Sequence, residues 1–246
     1  MATKPRNPML ARAGFGSTAQ VMGETMTLAG VMRKTFVLLA IAAGGMFYAW
    51  AGLPGIGLTE ATVGPLMIGS FVGAVGLLLY TGARPERASV TGPIYAALQG
   101  IVLGVVTLAM QARYRGIPEQ AALLTVTTIA VMLVAYRAGV IRATDKFRTI
   151  VTSCTLSIFL FYIIAFGMSL FGIQIPFLHE GGMLGIGFSL FVVGLAALNL
   201  ILDFDYIEQG VGHAGVEMEW FAAFSLVVTM IWLYFEILRL LSKLRR

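Results

Sequence analysis

Seven runs of apolar residues decide what this chain can fold into. They lie at about 35–53, 62–82, 93–110, 119–137, 149–171, 182–203 and 219–242. Each is close to the roughly 20 residues with which a helix crosses about 30 Å of hydrocarbon. None shows the polar–apolar alternation of a barrel strand. Inside lipid every backbone N–H and C=O needs a partner from its own segment or sheet, so the runs must be helices. The expected fold is an all-α membrane protein, a seven-transmembrane-helix bundle with the last helix central. A chain that is 58% hydrophobic and 12% charged, against about 25% charged in a soluble domain, is not a soluble enzyme. Residues 1–32 read as a polar N-terminal tail, with a short surface helix over Ala11 to Val31, and 33–246 as one membrane domain. No signal-peptide pattern is present.

The arginines and lysines orient the chain. Lys4, Arg6, Arg12, Arg33 and Lys34 precede or open the first run, Arg84 and Arg87 follow the second, and Arg137, Arg142, Lys146 and Arg148 lie between the fourth and fifth. Only Arg113 and Arg115 fall on the other side. Basic residues stay with the cytosolic loops, so the N-terminus is expected in the cytosol and the protein, multi-pass, in the inner (plasma) membrane of a bacterium. The basic excess therefore speaks to topology, and nucleic acid is not expected as a partner. The last run can cross, since 219–242 spans about 36 Å at 1.5 Å per residue. Crossing puts Arg239, Lys243, Arg245 and Arg246 outside, against the charge rule, which fits a helix shielded from lipid by its neighbours. The pairs Gly69/Gly73, Gly100/Gly104 and Gly181/Gly185 have the small-xxx-small spacing of close helix contacts. The single cysteine, Cys154, permits no internal disulfide and suggests no thiol metal site.

The last two runs carry acid where hydrocarbon disfavours it. The sixth ends in Asn199-Leu200-Ile201-Leu202-Asp203-Phe204-Asp205-Tyr206-Ile207-Glu208. The seventh contains Tyr234-Phe235-Glu236-Ile237-Leu238-Arg239. An ionisable group at a helix centre costs about 2.5–3.5 kcal/mol on insertion scales and marks a protein interior or a water-filled path. Asn199, Asp203 and Ile207 share one helix face, and Arg239 stands three residues after Glu236.

At these residues the sequence resembles the Bax inhibitor-1 family, also called the transmembrane Bax inhibitor motif family, over about 33–246, and most of all its bacterial branch. Ile201-Leu202-Asp203-Phe204-Asp205-Tyr206-Ile207 is similar to the family's aspartate followed four residues later by isoleucine. Leu233-Tyr234-Phe235-Glu236-Ile237-Leu238 is similar to its Leu-Tyr-x-Asp-hydrophobic segment, with glutamate in place of aspartate, and Leu238-Arg239-Leu240-Leu241 also fits. The resemblance implies a calcium leak channel sensitive to pH. Its gate is a pair of carboxylates, one from each of the last two helices, that share a proton; by position these are Asp203 and Glu236, which would also meet a metal ion. An arginine at the end of helix 2 latches onto one of them, and Arg84 or Arg87 fits that place. Asp205, Arg239 and Asn199 are secondary candidates. Two carboxylates held together away from water cannot both ionise cheaply, and the separated pair offers oxygen ligands to a hard cation. The expected partners are the bilayer and calcium, the latter as transported ion; no cofactor is expected. Counted from the loop over Gln209–Glu217, which also carries His213, Asp203 is about seven residues deep and Glu236 about seventeen. That mismatch of about 15 Å requires tilt, or a sixth helix that continues to Gly212.

Three other classes compete: a membrane enzyme, a regulatory protein, and a proton-coupled transporter, for which no substrate-binding motif is visible. A membrane enzyme finds no support. An intramembrane aspartyl protease needs Tyr-Asp and Gly-x-Gly-Asp, the chain has Asp205-Tyr206 and no Gly-x-Gly-Asp, and no His-Glu-x-x-His occurs. The alternative is a regulatory protein that binds and modulates another membrane protein, such as a membrane protease, in a stress response; it does not need the acids to titrate.

Overall fold

The computed structural model describes residues 24–52, 60–173 and 182–245, with backbone alone at 52 and 60–67. Seven helices follow the seven apolar runs: α1 Leu28–Gly52, α2 Glu60–Ala83, α3 Ala88–Arg113, α4 Ile117–Arg137, α5 Asp145–Leu170, α6 Met183–Gly210 and α7 Met218–Leu244. Among the described residues six of them are long and apolar enough to cross a membrane, and α2 adds an apolar stretch over Ile68–Ala83. No strand occurs there; the extended pairing is an isolated antiparallel bridge between Thr25 and Gly215. The fold is an all-α membrane bundle.

Helix ends depart from the apolar limits because helical hydrogen bonds are local and continue wherever side chains permit. The tail boundary expected at residue 32 falls inside α1. Of the surface helix expected over 11–31, residues 11–23 lie outside the described residues, 24–27 are not helical, and 28–31 open α1. The largest extensions are at the start of α1, seven residues before its run, and at the end of α6, which runs seven residues past Asp203 to Gly210. A side-chain cap starts α5: Thr144 Oγ1 accepts from the Phe147 N–H at 3.3 Å, with Asp145 in the first turn, as the unsatisfied donors and positive end of a helix favour. α7 is the most enclosed helix. Of its apolar window 61% is buried, against 17% to 44% in the other five, which is how a segment with Glu236 and Arg239 tolerates the bilayer.

The chain divides into two compact units, Met1–Val106 with Tyr206–Val227, and Thr107–Asp205 with Val228–Arg246. The divisions fall inside α3, α6 and α7, so no linker marks them and the sequence reads as one domain. In the first unit α1 and α3 meet at glycines. A Cβ at Gly100 would overlap the Ala42 carbonyl oxygen. One at Gly104 would lie 2.8 Å from the Met46 carbonyl oxygen, and one at Gly45 as close to that of Ala97. The Gly100/Gly104 spacing is thus a packing contact. Gly69 meets nothing within 4 Å, Gly73 touches only Leu98, and Gly181 lies outside the described residues. Gly100→Ala is expected to destabilise by about 1–3 kcal/mol, because backbone cannot rotate away from the added methyl. Gly69→Ala is the neutral control, both read as melting temperature in detergent.

The same unit ties its N-terminal segment to the α6–α7 turn. Met26 N–H donates to Ala214 O, Gly212 N–H to Met26 O and Val216 N–H to Glu24 O. Gly212 turns with φ +75°, a conformation glycine adopts without penalty. An ion pair closes the strap: Lys34 Nζ lies 2.7 Å from Glu219 Oε2, while Thr27 donates to Glu219 Oε1 from its N–H and hydroxyl at 2.8 and 2.9 Å.

In the second unit α5 and α6 run antiparallel around a core of Val151, Ile158, Val192 and Leu195, with Cys154, Phe188 and Trp232 packed on it. Three pairs set their register: Arg148 with Asp205, Thr155 with Asn199, and Tyr162 with Phe188.

Candidate functional site

Asp203 and Glu236 are buried, each in its own surroundings. Asp203 is 9% exposed, seven residues inside the end of α6. Asn199, one turn earlier on the same face, donates to Thr155 Oγ1 at 2.7 Å and to Leu195 O at 2.9 Å. Asp205 points elsewhere, into an ion pair with Arg148 from the first turn of α5. Glu236 is 1% exposed. Its Oε1 accepts from Tyr162 Oη at 3.0 Å, and Arg239 Nη1 lies 3.1 Å from both its carboxylate oxygens. Arg239 also donates to Tyr162 Oη and stacks over that ring, 4.9 Å from the centroid. Glu236, Arg239 and Tyr162 therefore form one closed cluster joining α5 to α7.

The helix register separates the acids. Lys243 Nζ donates to Gly185 O at 2.9 Å and Ser189 Oγ at 3.0 Å. Counting back along antiparallel helices, Glu236 lies level with about residues 192–196 of α6 and Asp203 level with about 225–229 of α7. The two are roughly 10–16 Å apart along the axes at 1.5 Å per residue. The depth mismatch legible in the sequence is thus not absorbed. α6 extends to Gly210, but α7 starts only at Met218, so the longer α6 leaves Glu236 far deeper than Asp203. Glu236 finds its hydrogen-bond partners in Tyr162 and Arg239.

A family model described as Bax inhibitor 1 like matches residues 7–246. The chain belongs to the Bax inhibitor 1 like family. Comparison with curated proteins and with solved structures gave no match.

Within this family member the candidate latch residues sit in the first unit. Arg84 precedes and Arg87 ends a 3-10 turn at Pro85–Arg87; both are exposed, and Arg84 lies over the Tyr80 ring at 5.9 Å. Neither forms an ion pair among the described residues. The arginine that reaches an acid of α6 is Arg148. No group of three His, Cys, Asp or Glu side chains among the described residues is placed to hold a metal ion.

Sequence reasoning missed Tyr162 and Ser189, and gave Lys34, Arg148 and Lys243 only a topological role. Tyr162 stands in an aromatic-rich run, Phe159-Leu160-Phe161-Tyr162, where nothing distinguishes a hydroxyl that meets an acid. For Lys243 a signal existed. It follows Glu236 by seven residues, two helical turns, and so shares its buried face.

Proposed function

We propose that this Bax inhibitor 1 like protein is a pH-sensitive calcium leak in a bacterial inner membrane, with its N-terminus in the cytosol and Asp203 as the titrating group. The observation that carries the reading is the burial of Asp203 inside a membrane-length helix. A carboxyl group in that position is expensive, and it is found where ions or protons pass. Neutral, Asp203 leaves the passage without a fixed charge; ionised, it offers oxygen to a cation and a local bias toward the open helix arrangement. Asp205, two residues on, is neutralised by Arg148. Glu236 is already matched by Arg239, so its contribution is to hold α5 on α7.

The test is calcium flux into liposomes containing the purified protein, from pH 5 to pH 8. Wild type is expected to leak with a rate that rises with pH as a carboxyl group titrates, and Asp203→Asn to give a flat profile. An unchanged profile in that variant removes Asp203 from the gate. No flux at any pH in wild type removes the leak itself, and leaves the reading in which the protein modulates another membrane protein.

A further inference from the structure

We propose that Thr229 of α7 is the residue that faces Asp203, so that the gate is a carboxyl–hydroxyl pair rather than two carboxyls. α7 carries three buried polar residues at intervals of seven, Thr229, Glu236 and Lys243; α6 has buried Ser189, Ala196 and Asp203 at the same interval. Packed helices repeat their contacts about every seven residues, since seven is close to two turns. One side-chain contact is seen directly: Lys243 donates to Ser189, and also to the Gly185 carbonyl one turn earlier. Stepping seven residues along each chain in opposite directions sets Glu236 against Ala196, and seven more sets Thr229 against Asp203. The middle step agrees with independent geometry. Alanine offers Glu236 no polar atom on α6, and Glu236 takes its partners from α5 and from its own helix.

The chemical consequence rests on the leak reading. One carboxylate with one hydroxyl supplies a single negative charge, whereas calcium is held by six to eight oxygens, several of them charged. Such a site draws cations without selecting the divalent ones, so the leak passes potassium or sodium alongside calcium. Thr229→Asp restores a second carboxyl at the same depth.

The pairing is tested without reference to flux. In a Cys154→Ser background, which removes the only cysteine, Asp203→Cys is combined with Thr229→Cys or with Glu236→Cys. Each protein in liposomes is oxidised or treated with a short bis-methanethiosulfonate, and the link is read by loss of thiol labelling in denaturant. Efficient linkage at 203/229 and none at 203/236 is expected, because a disulfide requires Cα atoms within about 7 Å. Linkage at 203/236, or at neither pair, overturns the proposal. In the flux assay Thr229→Asp is expected to raise the calcium-to-potassium ratio about tenfold or more, while Glu236→Gln leaves the pH midpoint in place. An unchanged ratio overturns the selectivity consequence while the cross-link stands, and absence of flux in wild type fails the leak reading alone.

Discussion

Replacing Lys34 with methionine lowers the melting temperature in detergent by roughly ten degrees, and adding Glu219→Gln returns most of it. Side-chain exposure at this pair is 12% for Lys34 and 3% for Glu219, so the carboxylate has almost no water to fall back on. Removing one partner of a buried ion pair costs about 3–5 kcal/mol, because the charge left behind is uncompensated, whereas replacing both is often close to neutral. In a chain of this size each kcal/mol corresponds to about 2–4 °C. Glu219 keeps the two Thr27 donors in the variant, which places the loss toward the lower end. The two single variants are unequal: Glu219→Gln alone leaves the more exposed Lys34 able to reach water and the Val216 carbonyl, so it loses less. The loss propagates, since Glu219 anchors the segment that carries the Thr25–Gly215 bridge. Equal losses in the two single variants, or no recovery in the double one, would show that the pair acts through packing alone. Lys34 also lies over the Trp220 ring, 5.4 Å from its centroid, and a methionine retains part of that contact, so charge and packing are separable.

The second large effect is at Arg239. Arg239→Gln is expected to destabilise by about 3 kcal/mol, and Arg239→Lys to recover only part. The arginine matches the charge of Glu236, bonds the Tyr162 hydroxyl and stacks on the ring with its planar group. An ammonium supplies the charge but not the stack. Glu236 is nearly fully buried, so loss of the arginine leaves a carboxylate in the interior. Combining Arg239→Gln with Glu236→Gln should regain most of the stability. The measurement is thermal denaturation of the single, conservative and double variants side by side. Full recovery by lysine would reduce the cluster to simple charge matching.

Several parts of the fold were legible because they depend on one-dimensional quantities. Hydropathy sets which segments cross a membrane, and the seven apolar runs became seven helices in the expected order. Asp203 and Glu236 stood out because a charge in an apolar run is anomalous wherever its partners are, and both are buried. Gly100 and Gly104 announced a close helix contact through spacing alone, and Ala42 and Met46 now show what they approach. The same spacing at Gly69/Gly73 brings no comparable approach, since spacing records which glycines share a face and not whether another helix lies on it.

What the tertiary structure decided is register, and register is not written in any single segment. The sequence placed Asp203 and Glu236 on neighbouring helices, and resemblance paired them. Which residue of α7 lies beside Asp203 depends on where α6 ends, where α7 begins and how the two slide against each other. In the second unit the Lys243–Ser189 contact bears on that alignment. A shift of seven residues preserves the buried face of each helix, so local periodicity scores both alignments equally; only contacts between helices separate them. The same holds for Lys34 and Glu219, nearly two hundred residues apart, which composition reads as two loop charges. Apolar length and misplaced charge were determined by the amino-acid sequence itself, because they concern a segment and its solvent. Which charges meet was determined by packing, because it concerns two segments whose relative depth neither specifies alone.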